Sequence, residues 1–146
     1  MVTRAREGES YSREIEHTAD VAIEVEAPTL SALFERAGLG MLALMVDLAT
    51  IAPRERRVVA VEADDRESLF HDWLQTLLVR FQAGLFVPCA LAVDELSECA
   101  LRGWAEGERI DVSRHGIHTE IKGVTYHALA VRETATGWWA RIVFDV

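Results

Sequence analysis

The sequence is short of the residues that cross-link small exported domains or hold structural metals. Cys89 and Cys99 are its only cysteines among 146 residues, and they form neither a CxxC pair nor a Cys/His cluster. This usage argues against a disulfide-rich secreted scaffold and against a structural zinc site. A reduced, cytoplasmic protein is therefore expected.

Long hydrophobic runs are also missing. The first ten residues, MVTRAREGES, are polar and lack the apolar centre of a signal peptide. No apolar run approaches the ~18 residues that a membrane-spanning helix needs. The sequence thus predicts neither an export signal nor a membrane partner, and residues 1–10 are expected to form a flexible lead.

Positive charge is scarce, with 15 Lys and Arg against 24 Asp and Glu and a net charge of -9. The negative electrostatic potential of such a chain repels nucleic acid, because non-specific binding of nucleic acid comes chiefly from Lys and Arg contacts to phosphate. If RNA is involved, another protein is expected to hold it. Arg54, Arg56 and Arg57 cluster, but so short a run is typical of a solvated strand edge.

The sequence motifs of common enzymes are absent too. No GxSxG, GxxxxGK[ST], HExxH or GxGxxG pattern occurs, and the GLG at 38–40 lies within a helical pattern. An autonomous hydrolase, kinase or dinucleotide enzyme is therefore poorly supported.

Half of the residues are hydrophobic and 27% are charged, which suits one globular domain of this length. Strands are predicted at 11–17, 21–27, 54–63, 86–96, 98–105, 119–132 and 138–146, with turns at 106–116 and 134–137. A helix is predicted after Thr29, and a second between an Asp64/Glu67 capping box and Gly84. The fold class is α+β, with two helices packed on a largely antiparallel or mixed sheet.

Three segments carry polar groups within or beside apolar strands: EHTAD at 16–20, EIKGVTYH at 120–127 and the terminal IVFDV. Each has a plain structural explanation, namely a hydrogen-bonded turn, the wet face of a strand and a frayed chain end. The last strand, however, is β-branched and aromatic up to the terminus, which favours a place within the sheet.

Asp145 beside the terminal carboxylate of Val146 needs a compensating cation or donor. If Asp20 lies beside them, the three would form an all-oxygen site of the kind that calcium and magnesium prefer. Lys122 would add positive charge there. Strand parity sets Lys122 and Tyr126 opposite Thr125 and His127, so a shared site requires a bulge, which Gly123 would permit.

The sequence resembles the archease family from about Tyr11 to the chain end. The resemblance rests on three motifs that occur in this order: EHTADVAIEVEA, EIKGVTYHALAV and the penultimate aspartate of the terminal FDV. The resemblance implies a non-enzymatic activator of RtcB-type RNA ligases, which join 2',3'-cyclic phosphate or 3'-phosphate ends to 5'-hydroxyl ends through a guanylylated histidine. The activator promotes guanylylation and multiple turnover in tRNA splicing or RNA repair, while the ligase binds the GTP.

The resemblance also implies residue roles. Asp20 and Asp145 would bind a divalent metal, calcium first with magnesium and manganese as alternatives, and Lys122 would be needed for activation. Val146 would contribute a main-chain oxygen, and His17, Thr125 and His127 would orient the ligands. Gly123 departs from the family, which commonly has alanine there, and Val146 replaces the usual isoleucine.

Two other functions stay open. One is a chaperone-like adaptor. The other is a stand-alone metal-dependent hydrolase that uses Asp20 and Asp145 with His127 as its base.

Overall fold

The structure is a computed structural model and describes residues 2–7 and 20–146. Its two α-helices are α1 (Leu30–Met45) and α2 (Arg66–Gln82), and a short 3₁₀ turn spans Leu48–Thr50. Its strands are β1 (Val2–Glu7), β2 (Asp20–Ala27), β3 (Glu55–Glu62), β4 (Val87–Leu96), β5 (Ala100–Glu108), β6 (Gly123–Val124), β7 (Ala130–Thr134) and β8 (Gly137–Asp145).

The strands form two sheets rather than one. The larger has the order β1-β2-β8-β6, with β7 also paired to β8, and the smaller has the order β3-β5-β4. Every strand pairing among the described residues is antiparallel. The predicted α+β class is confirmed, and β8 is the central strand through which the larger sheet is assembled.

Both helices lie between the two sheets. α1 contacts β2 and β8 of the larger sheet and β4 of the smaller, while α2 contacts β3 on one side and β6 and β7 on the other. One hydrophobic core joins all these layers. Trp73 of α2 is fully buried, and its indole N–H donates to the carbonyl oxygen of Phe34 at 2.8 Å.

The helix ends follow local capping chemistry. Thr29 caps α1 as predicted, with its hydroxyl accepting from the Ala32 amide at 3.1 Å. For α2 the cap is Asp65 rather than the predicted Asp64, because Asp65 has the extended backbone from which its carboxylate accepts the Ser68 amide at 2.8 Å. Gly84 follows the end of α2 with a φ of 69°, as the glycine signal predicts.

Several predicted strand bounds need correction. Residues 2–7, expected in a flexible lead, form β1 and pair with β2. β5 continues to Glu108 through the start of the predicted turn at 106–116, because its residues pair with both β3 and β4. The predicted strand at 119–132 is two short strands, β6 and β7, with a turn between them. The predicted strand at 11–17 lies outside the described residues.

The arginine cluster has two different environments. Arg56 and Arg57 lie on β3, an edge strand of the smaller sheet, as the solvated-edge interpretation predicts. Arg54 precedes the strand, and its guanidinium instead binds Glu108 at 3.0 Å.

Within the described residues, no helix is long and apolar enough to cross a membrane.

Candidate functional site

Asp20 and Asp145 lie directly opposite each other on neighbouring strands. Asp20 is the first residue of β2, Asp145 is the last of β8, and the two are register partners. Directly paired residues place their side chains on the same face, with Cβ atoms roughly 4.5–5.5 Å apart. That face points away from the helices, since Phe144, the alternate neighbour of Asp145, is buried in the core.

The Asp145 carboxylate is incompletely satisfied. Its Oδ1 atom is buried and has no hydrogen-bond partner within the part of the chain that the structure describes. A buried carboxylate oxygen without a donor is unfavourable, and a second carboxylate opposite adds repulsion. Among the described residues, no donor compensates the Oδ1 atom of Asp145.

Lys122 approaches the same position from the other side of β8. Gly123 pairs with Asp145 in register, and the Lys122 amide donates to the Asp145 carbonyl oxygen at 2.7 Å. The Lys122 side chain is exposed. The backbones of three predicted site residues that are far apart in sequence thus lie next to one another, at the ends of β2 and β8 and just before β6.

The chain leaves the sheet in a turn after Val124. Gly123 and Val124 pair with β8 in register, and a Cβ built on Gly123 would meet nothing within 4 Å. The bulge that Gly123 would permit stays a prediction. Alanine would fit there, so the glycine carries no conformational requirement.

Thr125 and His127 belong to that turn. The Thr125 amide and hydroxyl both donate to the Val143 carbonyl oxygen, at 3.1 and 2.9 Å, and the Thr125 hydroxyl accepts from the His127 amide at 3.2 Å. Ala128 has a positive φ of 54°, which reverses the chain direction. Thr125 therefore holds the turn, while the His127 side chain is exposed.

The two remaining predicted site residues are Val146 and His17. Val146 is half-buried and packs against the core, so the end of the chain is anchored next to Asp145. His17 lies outside the described residues. The metal-binding roles of Asp20, Asp145 and Val146 and the orienting roles of His17, Thr125 and His127 stay predictions.

Sequence reasoning overlooked the contribution of α2. His71, Gln75 and Gln82 all contact the segment 121–124 that carries Lys122. The signal was available, because these polar residues recur at intervals of four and seven, which places them on one face of a helix. The apolar stripe of the same helix is the stronger sequence signal, and it masks this polar face.

A second concentration of charge surrounds Glu108 at the end of β5. Its carboxylate is only 3% exposed and accepts from Arg114 at 2.8 Å, Arg54 at 3.0 Å and the Ala52 amide at 2.7 Å. The bonds from Arg114, followed by that from Ala52, hold the pKa of Glu108 well below its ordinary value. Because all these partners belong to the fold, we assign this cluster a structural role.

His115 completes the Glu108 cluster. Its Nδ1 atom accepts from the Asp111 amide at 3.0 Å, so the ring proton sits on Nε2, 3.0 Å from the Glu108 carboxylate. The loop that follows β5 is thereby tied to the end of that strand.

Glu108→Gln is expected to lower the melting temperature at pH 7 by about 5 °C, because a neutral amide weakens the hydrogen bonds that the buried carboxylate accepts from Arg114, Arg54 and the Ala52 amide. The folded-state pKa of Glu108 is depressed, so its contribution to stability is present above its ordinary pKa of 4.5 and is lost progressively below it. The difference between variant and wild type should therefore shrink as pH falls from 5 to 3. Circular-dichroism melts with the exposed Glu62→Gln as control measure this, and equal melting temperatures at pH 7 would contradict it.

The fold and the site define a small α+β protein whose acidic pair forms where its second and last strands meet. Residues 12–146 match the model of the Archease protein family (MTH1598/TM1083). The chain belongs to that family.

Relatives of the chain extend over most of its length. It is 35% identical over 144 residues to the protein archease of Methanosarcina acetivorans, covering 96% of this chain and 98% of that one. It is 37% identical over 136 residues to the Methanopyrus kandleri archease, covering 91% and 97%. With the Danio rerio archease it shares 34% identity over 125 residues, covering 82% and 76%.

Two solved structures share the fold. The solution structure of Methanobacterium thermoautotrophicum protein 1598 superposes with a TM-score of 0.72 at 30% identity, covering 90% of this chain and 96% of that one. The crystal structure of a Thermotoga maritima archease, described as a possible chaperone, gives a TM-score of 0.68 at 23% identity and covers 94% and 99%. The second likeness bears on the fold alone.

Proposed function

We propose that this chain is an accessory protein of an RtcB-type RNA ligase and promotes its GTP-dependent guanylylation and multiple turnover. Family membership supports the accessory role. The observation that carries the proposal is the pairing of Asp20 with Asp145, whose Oδ1 is buried and unpartnered in the described structure, beside the exposed Lys122. This grouping offers charge to a partner.

The donor set fits a divalent metal in part. The Asp20 and Asp145 carboxylates, with a main-chain oxygen of Val146, would hold a hard cation, calcium first and magnesium or manganese as alternatives. A bound divalent ion would supply positive charge that stabilises phosphate oxygens during nucleotidyl transfer.

Residues 20–146 do not by themselves complete a calcium shell. Such a cation takes six to eight oxygens, whereas no group of three or more His, Cys, Asp or Glu side chains within residues 20–146 is arranged to hold a metal. Ligands from beyond these residues would complete the shell. A metal site with open coordination positions suits an activator that acts at the active site of another protein.

The charge of the chain supports the same kind of partner. A net charge of -9 favours docking against the basic cleft of an RNA-binding enzyme and disfavours direct RNA binding. In this proposal the ligase binds both the GTP and the RNA, and the acidic pair and Lys122 enter its active site.

The test combines the purified chain with its cognate ligase, GTP and a divalent metal. Covalent guanylylation of the ligase is expected to accelerate, and each ligase molecule should complete more than one ligation. The ligase is folded and active before the addition, so a chaperone-like adaptor would leave both rates unchanged. Metal-dependent hydrolysis of RNA ends or of GTP by the chain without ligase would indicate a hydrolase instead, and no stimulation would overturn the proposal.

A further inference from the structure

His71 of α2 joins the helix to the segment that carries Lys122. Its Nε2 atom lies 2.9 Å from the Val124 carbonyl oxygen, and its Nδ1 atom lies 2.9 Å from a carboxylate oxygen of Asp72. The ring also stacks on Tyr126, with centroids 4.0 Å apart and planes 12° from parallel. The His71 side chain is only 12% exposed, whereas Tyr126 is 56% exposed.

The contacts of His71 have a defined hydrogen-bond polarity. The Val124 carbonyl oxygen can only accept, so its contact with Nε2 is a hydrogen bond that His71 donates. The Asp72 carboxylate lies against Nδ1 on the opposite side of the ring. His71 therefore has the chemistry to hold the 124–126 backbone firmly while supporting the Tyr126 ring.

Two glutamines of α2 extend this contact. Gln75 accepts from the Val124 amide at 3.4 Å, and Gln82 donates to the carbonyl oxygens of Ile121 and Lys122 at 3.1 and 3.4 Å. β6 has only two residues and pairs with β8, so side chains of α2 supply partners for backbone groups that β8 leaves unpaired. The Lys122 backbone is thereby held by Asp145 through its amide and by Gln82 through its carbonyl.

We propose that His71, oriented by Asp72, is a positioning residue for Lys122. It fixes the short β6 segment against α2, so that the exposed Lys122 side chain starts from one defined place beside Asp145. This inference rests on the activator function proposed above, because it assumes that Lys122 acts on the partner. It assigns His71 no contact with substrate.

The first test needs no partner. In His71→Ala, amide hydrogen exchange at Lys122 and Thr125 is expected to be about tenfold faster, because the hydrogen bond to the Val124 carbonyl oxygen and the stacking contact with Tyr126 are lost. Exchange within β3 and β5 should not change. His118→Ala, which removes an exposed histidine elsewhere, is the matched control. Unchanged exchange at Lys122 and Thr125 would overturn the inference even if the chain activates the ligase.

The second test uses the guanylylation assay. His71→Ala is expected to lower the maximal stimulation of the ligase about tenfold. The concentration of the chain that gives half-maximal stimulation should change much less, because Lys122 is misplaced while the interface with the ligase is kept. An unchanged maximal stimulation in His71→Ala would overturn the inference.

A third variant guards against misfolding of His71→Ala. Gln82→Ala removes the bond to the Lys122 carbonyl without touching His71, and it should shift the maximal stimulation in the same direction. Unchanged stimulation in both Gln82→Ala and His71→Ala would remove α2 from the positioning of Lys122. If the wild-type chain fails to stimulate the ligase, the proposed function fails, and the exchange experiment still decides whether His71 restrains the segment.

Discussion

Asp145→Asn is expected to weaken binding of calcium, or of terbium as its luminescent substitute, by about 100-fold or more, because a neutral amide replaces one of two carboxylates in an all-oxygen site. Stimulation of ligase guanylylation should fall to the level of the ligase alone. Without metal the variant should be as stable as the wild type or slightly more stable, since it removes the repulsion from Asp20 and the charge on an oxygen that is buried and has no partner among the described residues. Calorimetric titration and melts with and without calcium measure these effects.

The response of the melting temperature to metal should distinguish the wild type from Asp145→Asn most clearly. Metal should raise the melting temperature of the wild type, because a ligand that binds only the folded state stabilises it, and should leave that of Asp145→Asn unchanged. Asp94→Asn removes the same charge from an exposed position on β4 and serves as the control. Wild-type metal affinity in Asp145→Asn would exclude that residue as a ligand.

Two further variants test the other proposed metal ligands one at a time. Asp20→Asn should lose metal binding as Asp145→Asn does, since the two carboxylates face each other across β2 and β8. Deletion of Val146 tests the chain end separately. Retained metal affinity after that deletion would mean that Val146 supplies no ligand.

Trp73→Ala is expected to reduce the free energy of unfolding by about 3–5 kcal/mol, the usual effect of removing a fully buried large aromatic side chain. The indole is wholly buried in the core and donates to the Phe34 carbonyl oxygen, so truncation leaves both a cavity and an unpaired acceptor. A Cβ on Gly38 would lie 3.5 Å from the indole nitrogen, so the two helices approach closely at this point. Urea unfolding followed by circular dichroism measures the loss.

Trp104→Ala is the matched control for Trp73. Trp104 lies on β5, is partly exposed and is covered by the guanidinium of Arg56 at 4.0 Å from the ring centroid. Its loss should reduce the free energy of unfolding by about 1 kcal/mol. Equal effects of the two substitutions would contradict the assignment of Trp73 to the shared core.

The helices could be predicted closely because their signals are local. The apolar stripe of α2, the Thr29 cap and the terminal Gly84 all act within a few residues, and each was confirmed. The error at Asp64 arose because two adjacent aspartates offer the same chemistry. Only the backbone conformation at Asp65 decides which of them caps the helix.

The segment 119–132 shows where local signals are insufficient. Its apolar residues alternate with polar ones from Val124 to Ala128 and then run on through Val131, so local pattern alone predicts an unbroken strand. The chain turns there because Thr125 bonds to Val143 and Ala128 takes a left-handed conformation, while His71 and Gln82 hold the part before the turn. Most of these partners lie far away in sequence.

The sequence by itself determined the residue types of this protein: two amphipathic helices with their caps, strands with one apolar face, and the carboxylates and lysine of the candidate site. Only the tertiary structure decided that Asp20 faces Asp145, that Oδ1 of Asp145 is buried, and that α2 holds the segment bearing Lys122. The physical reason is that helix formation depends on neighbours within a turn or two. Strand register and burial depend on pairing between opposite ends of the chain.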